Sequence, residues 1–257
     1  MFPIPKITES FIDVVMTEIS WHRYAEMYPV VEGQLNADYV GPNSVGELKI
    51  FEEEGLEKDE RQKAIAELLT PYAANGDIVD LELDTIPSEI RRKFENIVST
   101  PFKSAIKKAS KQLRETASVH RATGDRVLVA VNNGYSYLNA DSFERLFVSR
   151  AKRDSQSIGY AACVTVEYHQ GGFDAYIFCT TRVHQINSSV AWKHEEEFVE
   201  TVDKKFNEAM SVMMVNQMNP ELWQNRQDPV KNIHFTKNGV EYIRGAPYIP
   251  DSRFEKT

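Results

Sequence analysis

Two carboxylates and an ammonium fall close together in the stretch NADYVGPNSVGELKI, residues 36–50. Asp38 precedes Tyr39 and Val40, the turn formers GPNS occupy 41–44, and Val45, Glu47 and Lys49 follow. Folded back on GPNS as a hairpin, the chain sets Val40 against Val45, Tyr39 against Gly46 and Asp38 against Glu47. Directly opposed residues have Cβ atoms about 4.5–5.5 Å apart, where like charges destabilise. Lys49 stands two residues beyond Glu47 and shares its face, because strand side chains alternate. The spacing therefore converges two acids and one base on one small patch. A divalent cation relieves the repulsion, and hard oxygen ligands suit Mg²⁺, with Mn²⁺ as its substitute. Mg²⁺ typically takes one or two carboxylates and keeps its other sites for water and phosphate. The lysine is suited to orient or deprotonate a water there, or to meet charge developing on phosphate.

An acid-x-Lys triplet alone says little. A second one, Asp203-Lys204-Lys205, sits in a predicted helix, where residues two apart do not share a face. The strand context and the opposed acid distinguish the first. The competing reading is a solvated edge hairpin with a Glu–Lys surface pair worth little energy.

The elements that must position this patch follow from periodicity. Residues 7–28 predict a helix, with Phe11, Val15 and Ile19 at helical spacing, Thr8 or Ser10 as cap and Pro29 as its stop. Strands fill 30–51, and 57–73 predicts a second helix with acids in its first turn. The acidic run EEEGLEKDE, 52–60, reads as a solvated loop and helix start. Residues 77–121 read as mostly helical and basic. RVLVAV, from 126, is a buried-strand run, and 140–153 is a short helix. Two strands flank Gly171-Gly172, a long amphipathic helix covers about 191–216, and a hairpin turns at Asn238-Gly239. This order predicts an α/β protein with a mixed sheet.

A strand-borne Asp, a turn, and Glu-x-Lys on the next strand resemble the PD-(D/E)XK nuclease superfamily. The resemblance spans roughly 7–73 plus 126–181. It implies a restriction-endonuclease-like core, a mixed central sheet flanked by helices, over 1–190. The segment 76–121 would be a basic helical insertion, and 191–257 a helical C-terminal extension with a small hairpin. The family's catalytic Asp, Glu and Lys would correspond to Asp38, Glu47 and Lys49, with Ala37 where the motif has Pro. Its metal-facing Glu from the first helix would be Glu18, with Glu9 behind it, and its Gln on a later helix would be Gln62. The implied activity is Mg²⁺-dependent phosphodiester hydrolysis on DNA or RNA. The alternative is a catalytically inactive interaction subunit with the same fold, and a homodimer is compatible with either.

Charge distribution fits a polyanionic partner better than total charge does. The net charge is −8, but 89–126 alone carries +6, leaving −14 elsewhere. Arg91, Arg92, Lys103, Lys107, Lys108, Lys111 and Arg114 in that window are the candidate nucleic-acid contacts, against the plainer reading of a solvated helix face. The six histidines form no His-x-His or His-Glu-x-x-His set, which argues against zinc. Cys163 and Cys179 read as buried reduced thiols. NNGY, 132–135, reads as a turn cluster after a buried strand. No segment reaches the roughly 18–20 apolar residues of a membrane span. The N-terminal residues lack a signal pattern, so a cytoplasmic protein is expected.

Overall fold

The computed structural model describes residues 7–30, 32–51, 55–56, 58–132, 138–171, 174–217 and 233–244. The fold is α/β, with a six-stranded mixed sheet covered by helices on both faces.

The first helix, α1 (Glu9–Glu18), starts where the Thr8 hydroxyl accepts the Phe11 N–H at 3.2 Å. It does not run on to 28. Ser20 adopts a left-handed φ of 66°, and Trp21 turns fully into the core. A two-residue strand, β1 (His22–Arg23), and one helical turn, α2 (Tyr24–Met27), follow. The hairpin is β2 (Tyr39–Gly41) and β3 (Ser44–Phe51), pairing Tyr39 with Gly46 and Val40 with Val45, the register the turn formers predict. The turn is pinned from outside. Asn43, at φ 59°, donates from Nδ2 to Thr123 Oγ1 and accepts the Thr123 N–H through Oδ1, both at 2.9 Å.

After β3 come α3 (Asp59–Leu69), a 3₁₀ turn (Thr70–Tyr72), β4 (Ile78–Asp80), α4 (Ser88–Val98) and α5 (Thr100–Val119). The chain then enters β5 (Arg126–Asn132), parallel to β3 with Glu47 beside Leu128 and Lys49 beside Ala130. A second crossover through α6 (Ala140–Asp154) leads to β6 (Tyr160–Gly171), parallel to β5. β7 (Asp174–Gln185) returns antiparallel, and α7 (Glu195–Gln217) closes the face that α1 begins. Strands β8 (Ile233–Lys237) and β9 (Val240–Arg244) form a small second sheet with β4. The order in the large sheet is β1-β2-β3-β5-β6-β7.

Period-2 alternation divides the core. On one face Val45, Phe51, Leu128 and Ala130 lie under α5 and α6, with α3 and α4 packed beyond them; on the other Leu48, Val127, Val129 and Val131 meet α1 and α7. Residues 127–131 are all fully buried, as a strand covered on both faces requires. Both segments expected to lie outside the core contribute to it. Within 76–121, α5 buries Phe102, Ile106, Ala109 and Leu113 over β3, and β4 is a strand where helix was expected. Beyond 190, Trp192, Phe198 and Val202 build the second face. No helix among the described residues is long and apolar enough to cross a membrane.

The Trp21 indole lies flat across the hairpin because two glycines leave room for it. A Cβ on Gly46 would sit 2.9 Å from the ring, and one on Gly41 2.6 Å. Overpacking a filled core costs typically about 1–3 kcal/mol. Gly46→Ala is therefore expected to lose about that much stability in urea melts, with a blue- or red-shifted Trp fluorescence. An unchanged midpoint would contradict the packing described.

Candidate functional site

The hairpin builds the site from its own backbone needs. Asp38 stands immediately before β2, and its Oδ2 accepts the Leu48 N–H at 2.8 Å. In return Glu47 Oε2 accepts the Asp38 N–H at 3.2 Å. Each acid thus closes the other's strand, and the two face one another as the register predicts. Lys49 pairs its ammonium with Glu47 Oε1. Burial differs along the triad: Glu47 is fully buried, whereas the Lys49 and Asp38 side chains are 20% and 30% exposed. Burial, and then the charge of Asp38, push the Glu47 carboxyl up to about 7, with Lys49 and the Asp38 N–H opposing the rise only in part.

Arg23 on β1 ties this cluster to α1. It pairs with Glu9, holds Asp13 Oδ1 at 2.5 Å and reaches within 3.9 Å of Asp38 Oδ1. Its guanidinium also lies 4.6 Å over the Tyr39 ring, whose hydroxyl donates to Asp13 Oδ1 at 2.7 Å. Burial and that bond raise the Tyr39 pKa well above the ordinary value, so the phenol stays a donor. The α1 acids nearest the hairpin are accordingly Glu9 and Asp13. Glu18 is not among them: it faces α7, where Lys205 holds it at 2.5 Å and Lys204 at 3.9 Å, and Lys205 lowers its pKa. Gln62 is also elsewhere, its amide donating to the Leu56 carbonyl at 3.1 Å.

The helix that covers the loop leading into β2 is α5. The Thr116 hydroxyl accepts the Ala37 N–H at 2.7 Å, and Gln112 donates to the Asn36 carbonyl at 2.8 Å. Sequence reasoning overlooked both residues. The signal was available: Gln112 and Thr116 interrupt, at i and i+4, a helical stripe that is otherwise apolar. Gln112 Oε1 and Asn36 Oδ1 are buried with no hydrogen-bond partner among the described residues. Carboxylate and amide oxygens are the hard donors that suit a divalent cation, and the carboxylates that face one another here are Asp38 and Glu47. Among the described residues no group of three or more His, Cys, Asp or Glu stands together, so acids alone do not complete such a site.

The basic candidates of α5 lie on its outer face, whereas Arg91 and Arg92 of α4 stand beside α6. Arg92, Lys103, Lys107, Lys108, Lys111 and Arg114 are exposed, with Lys111 3.7 Å from Glu115, and Arg91 is half-buried. Cys163 is buried and Cys179 half-buried, both as free thiols whose pKa burial raises. Residues 52–54 and 57 of the acidic run, 133–135 of the turn cluster and Gly172 lie outside the described residues. Compared with protein-family models, curated proteins and solved structures, the chain matches none.

The geometry fixes a sign for pH dependence. A carboxyl raised from 4.5 to about 7 favours the folded state below pH 4.5 and loses that contribution as pH rises through 7. The difference amounts to roughly 3 kcal/mol at one pKa unit per 1.36 kcal/mol. In EDTA, the parent protein is expected to lose stability relative to Glu47→Gln between pH 5 and pH 8, read by urea melts. Parallel stability curves would show that Glu47 titrates normally.

Proposed function

We propose that this chain is a divalent-cation-dependent phosphodiesterase acting on nucleic acid, built on a restriction-endonuclease-like core. One observation carries the reading: Asp38, Glu47 and Lys49 meet at a hairpin whose second strand continues into a parallel crossover. The order helix, hairpin, crossover helix, parallel strand is also what that resemblance implies.

Asp38 and Glu47 would hold Mg²⁺ or Mn²⁺. A cation there supplies an acidified water and neutralises phosphate charge. The chain's own residues do the rest. Lys49 opposes the protonation that burial imposes on Glu47, and its ammonium is the positive charge available to a developing phosphate oxyanion. Arg23 steadies Asp38 and binds the α1 acids, so their charge does not add to the repulsion between Asp38 and Glu47. The exposed lysines of α5 would track the nucleic-acid backbone.

A second reading is favoured by a specific feature: both Glu47 oxygens are already engaged inside the protein, and the side chain is fully buried. An inactive nuclease-fold subunit would keep these bonds and bind no cation. Mn²⁺ titration by calorimetry separates the two. The enzyme reading expects one site that disappears in Asp38→Ala, together with plasmid or single-strand cleavage that Glu47→Gln abolishes. Absence of Mn²⁺ heat in the parent protein would select the inactive subunit.

The nucleic-acid surface has its own test. Each phosphate neutralised on duplex DNA contributes about 0.9 to the slope of log affinity against log salt. Replacing Lys107, Lys108 and Lys111 together by Gln is expected to flatten that slope by roughly two to three units. An unchanged slope would place the polyanion contacts on another face.

A further inference from the structure

A cleft of about 480 Å³ opens between α4 and α6, within the roughly 300–1,000 Å³ of small-molecule sites. Its wall holds four arginines, Arg91, Arg92, Arg150 and Arg153. The single carboxylate among the residues of that wall, Glu95, is taken at 2.7 Å by Arg145, which stands outside it. The two deeper guanidiniums are fixed mainly by neutral groups. Arg91 donates to the carbonyls of Asp84 and Ile86, both at 3.2 Å, and its Nε is buried without an acceptor among the described residues. Arg150, 8% exposed, donates to the Ser99 hydroxyl at 3.0 Å and to the Asn96 carbonyl and side-chain oxygen at 3.1 and 3.0 Å.

Carbonyls and hydroxyls orient a guanidinium but do not cancel its charge. Among the described residues the acid paired with these arginines is Asp154, at 3.7 Å from Arg150 and 3.5 Å from Arg153, so one carboxylate serves two cations. Burial, and next the charge of Arg153, hold the Arg150 pKa below its ordinary value. A solvated helix face would spread such charges apart and pair them with acids; this wall converges them and braces them instead. The fixed fork of arginine matches phosphate oxygens two at a time.

We infer that the α4–α6 cleft binds a phosphomonoester, with its phosphate group among Arg91, Arg92, Arg150 and Arg153. The inference stands independently of the hairpin chemistry. A phosphate of this kind is carried by a free nucleotide or by the 5′ end of a strand, and the test distinguishes them.

Calorimetry in EDTA, at low salt, uses AMP, adenosine, and one oligonucleotide with and without a 5′-phosphate. AMP or the 5′-phosphorylated strand is expected to bind, and adenosine and the 5′-hydroxyl strand to bind at least tenfold more weakly. The tighter of the two phosphorylated ligands identifies the source. Arg92→Gln with Arg153→Gln, at exposed positions, is expected to weaken binding at least tenfold, while Asp38→Ala leaves it unchanged. If the double variant does not fold, Arg92→Gln alone is read, with severalfold weakening expected. Phosphorylated and unphosphorylated ligands binding alike, no binding at all, or full binding by the arginine variant would each overturn the inference.

Discussion

The fold turns on one buried charge. Glu47 lies at the centre of β3, without solvent exposure, between a short antiparallel partner and a parallel core strand. An ionised carboxylate in such a place is expensive unless it is paired and hydrogen-bonded. The chain meets that demand locally: the Lys49 ammonium takes one oxygen and the Asp38 N–H the other. The same bonds bring Asp38 against it, and the second carboxylate partly undoes the relief. A core acid pushed up to about 7 is what marks Glu47 as a candidate functional group.

The surroundings follow from holding that arrangement still. Trp21 fills the space that Gly41 and Gly46 leave, so the hairpin is fixed from the α1 face. Gln112 and Thr116 fix the preceding loop from the α5 face through its backbone. Asn43 and Thr123 clamp the turn. With three independent anchors, the strand register cannot slip by one residue, a slip that would exchange the two faces of the sheet. The basic outer face of α5 belongs to the same helix whose inner face packs in the core, so a backbone bound there would lie on a helix that also holds the loop leading into β2.

The sequence made the hairpin legible because turn formers and period-2 alternation act over a few residues. Tyr39 opposite Gly46 and the convergence of Asp38, Glu47 and Lys49 follow from those alone. Glu18 stands apart from the hairpin for an equally simple reason: Glu9 and Asp13 share a face at i and i+4, whereas Glu18 is five residues beyond Asp13 and rotated away. Gln62 failed because proximity in sequence does not say which helix of a long crossover returns over the sheet. That helix is α5, not α3. β4 was illegible because its partner, β9, lies some 160 residues on and supplies the ladder that three residues cannot form alone.

The carboxylates of Asp38 and Glu47 are proposed to form a cation site. Anomalous diffraction from a crystal soaked in Mn²⁺ addresses it without reference to substrate or activity. A cation site there predicts a single strong peak between the two carboxylates, with Lys49 displaced from Glu47 Oε1. A hairpin that keeps its Lys49–Glu47 pair intact and shows no peak at saturating Mn²⁺ would contradict it.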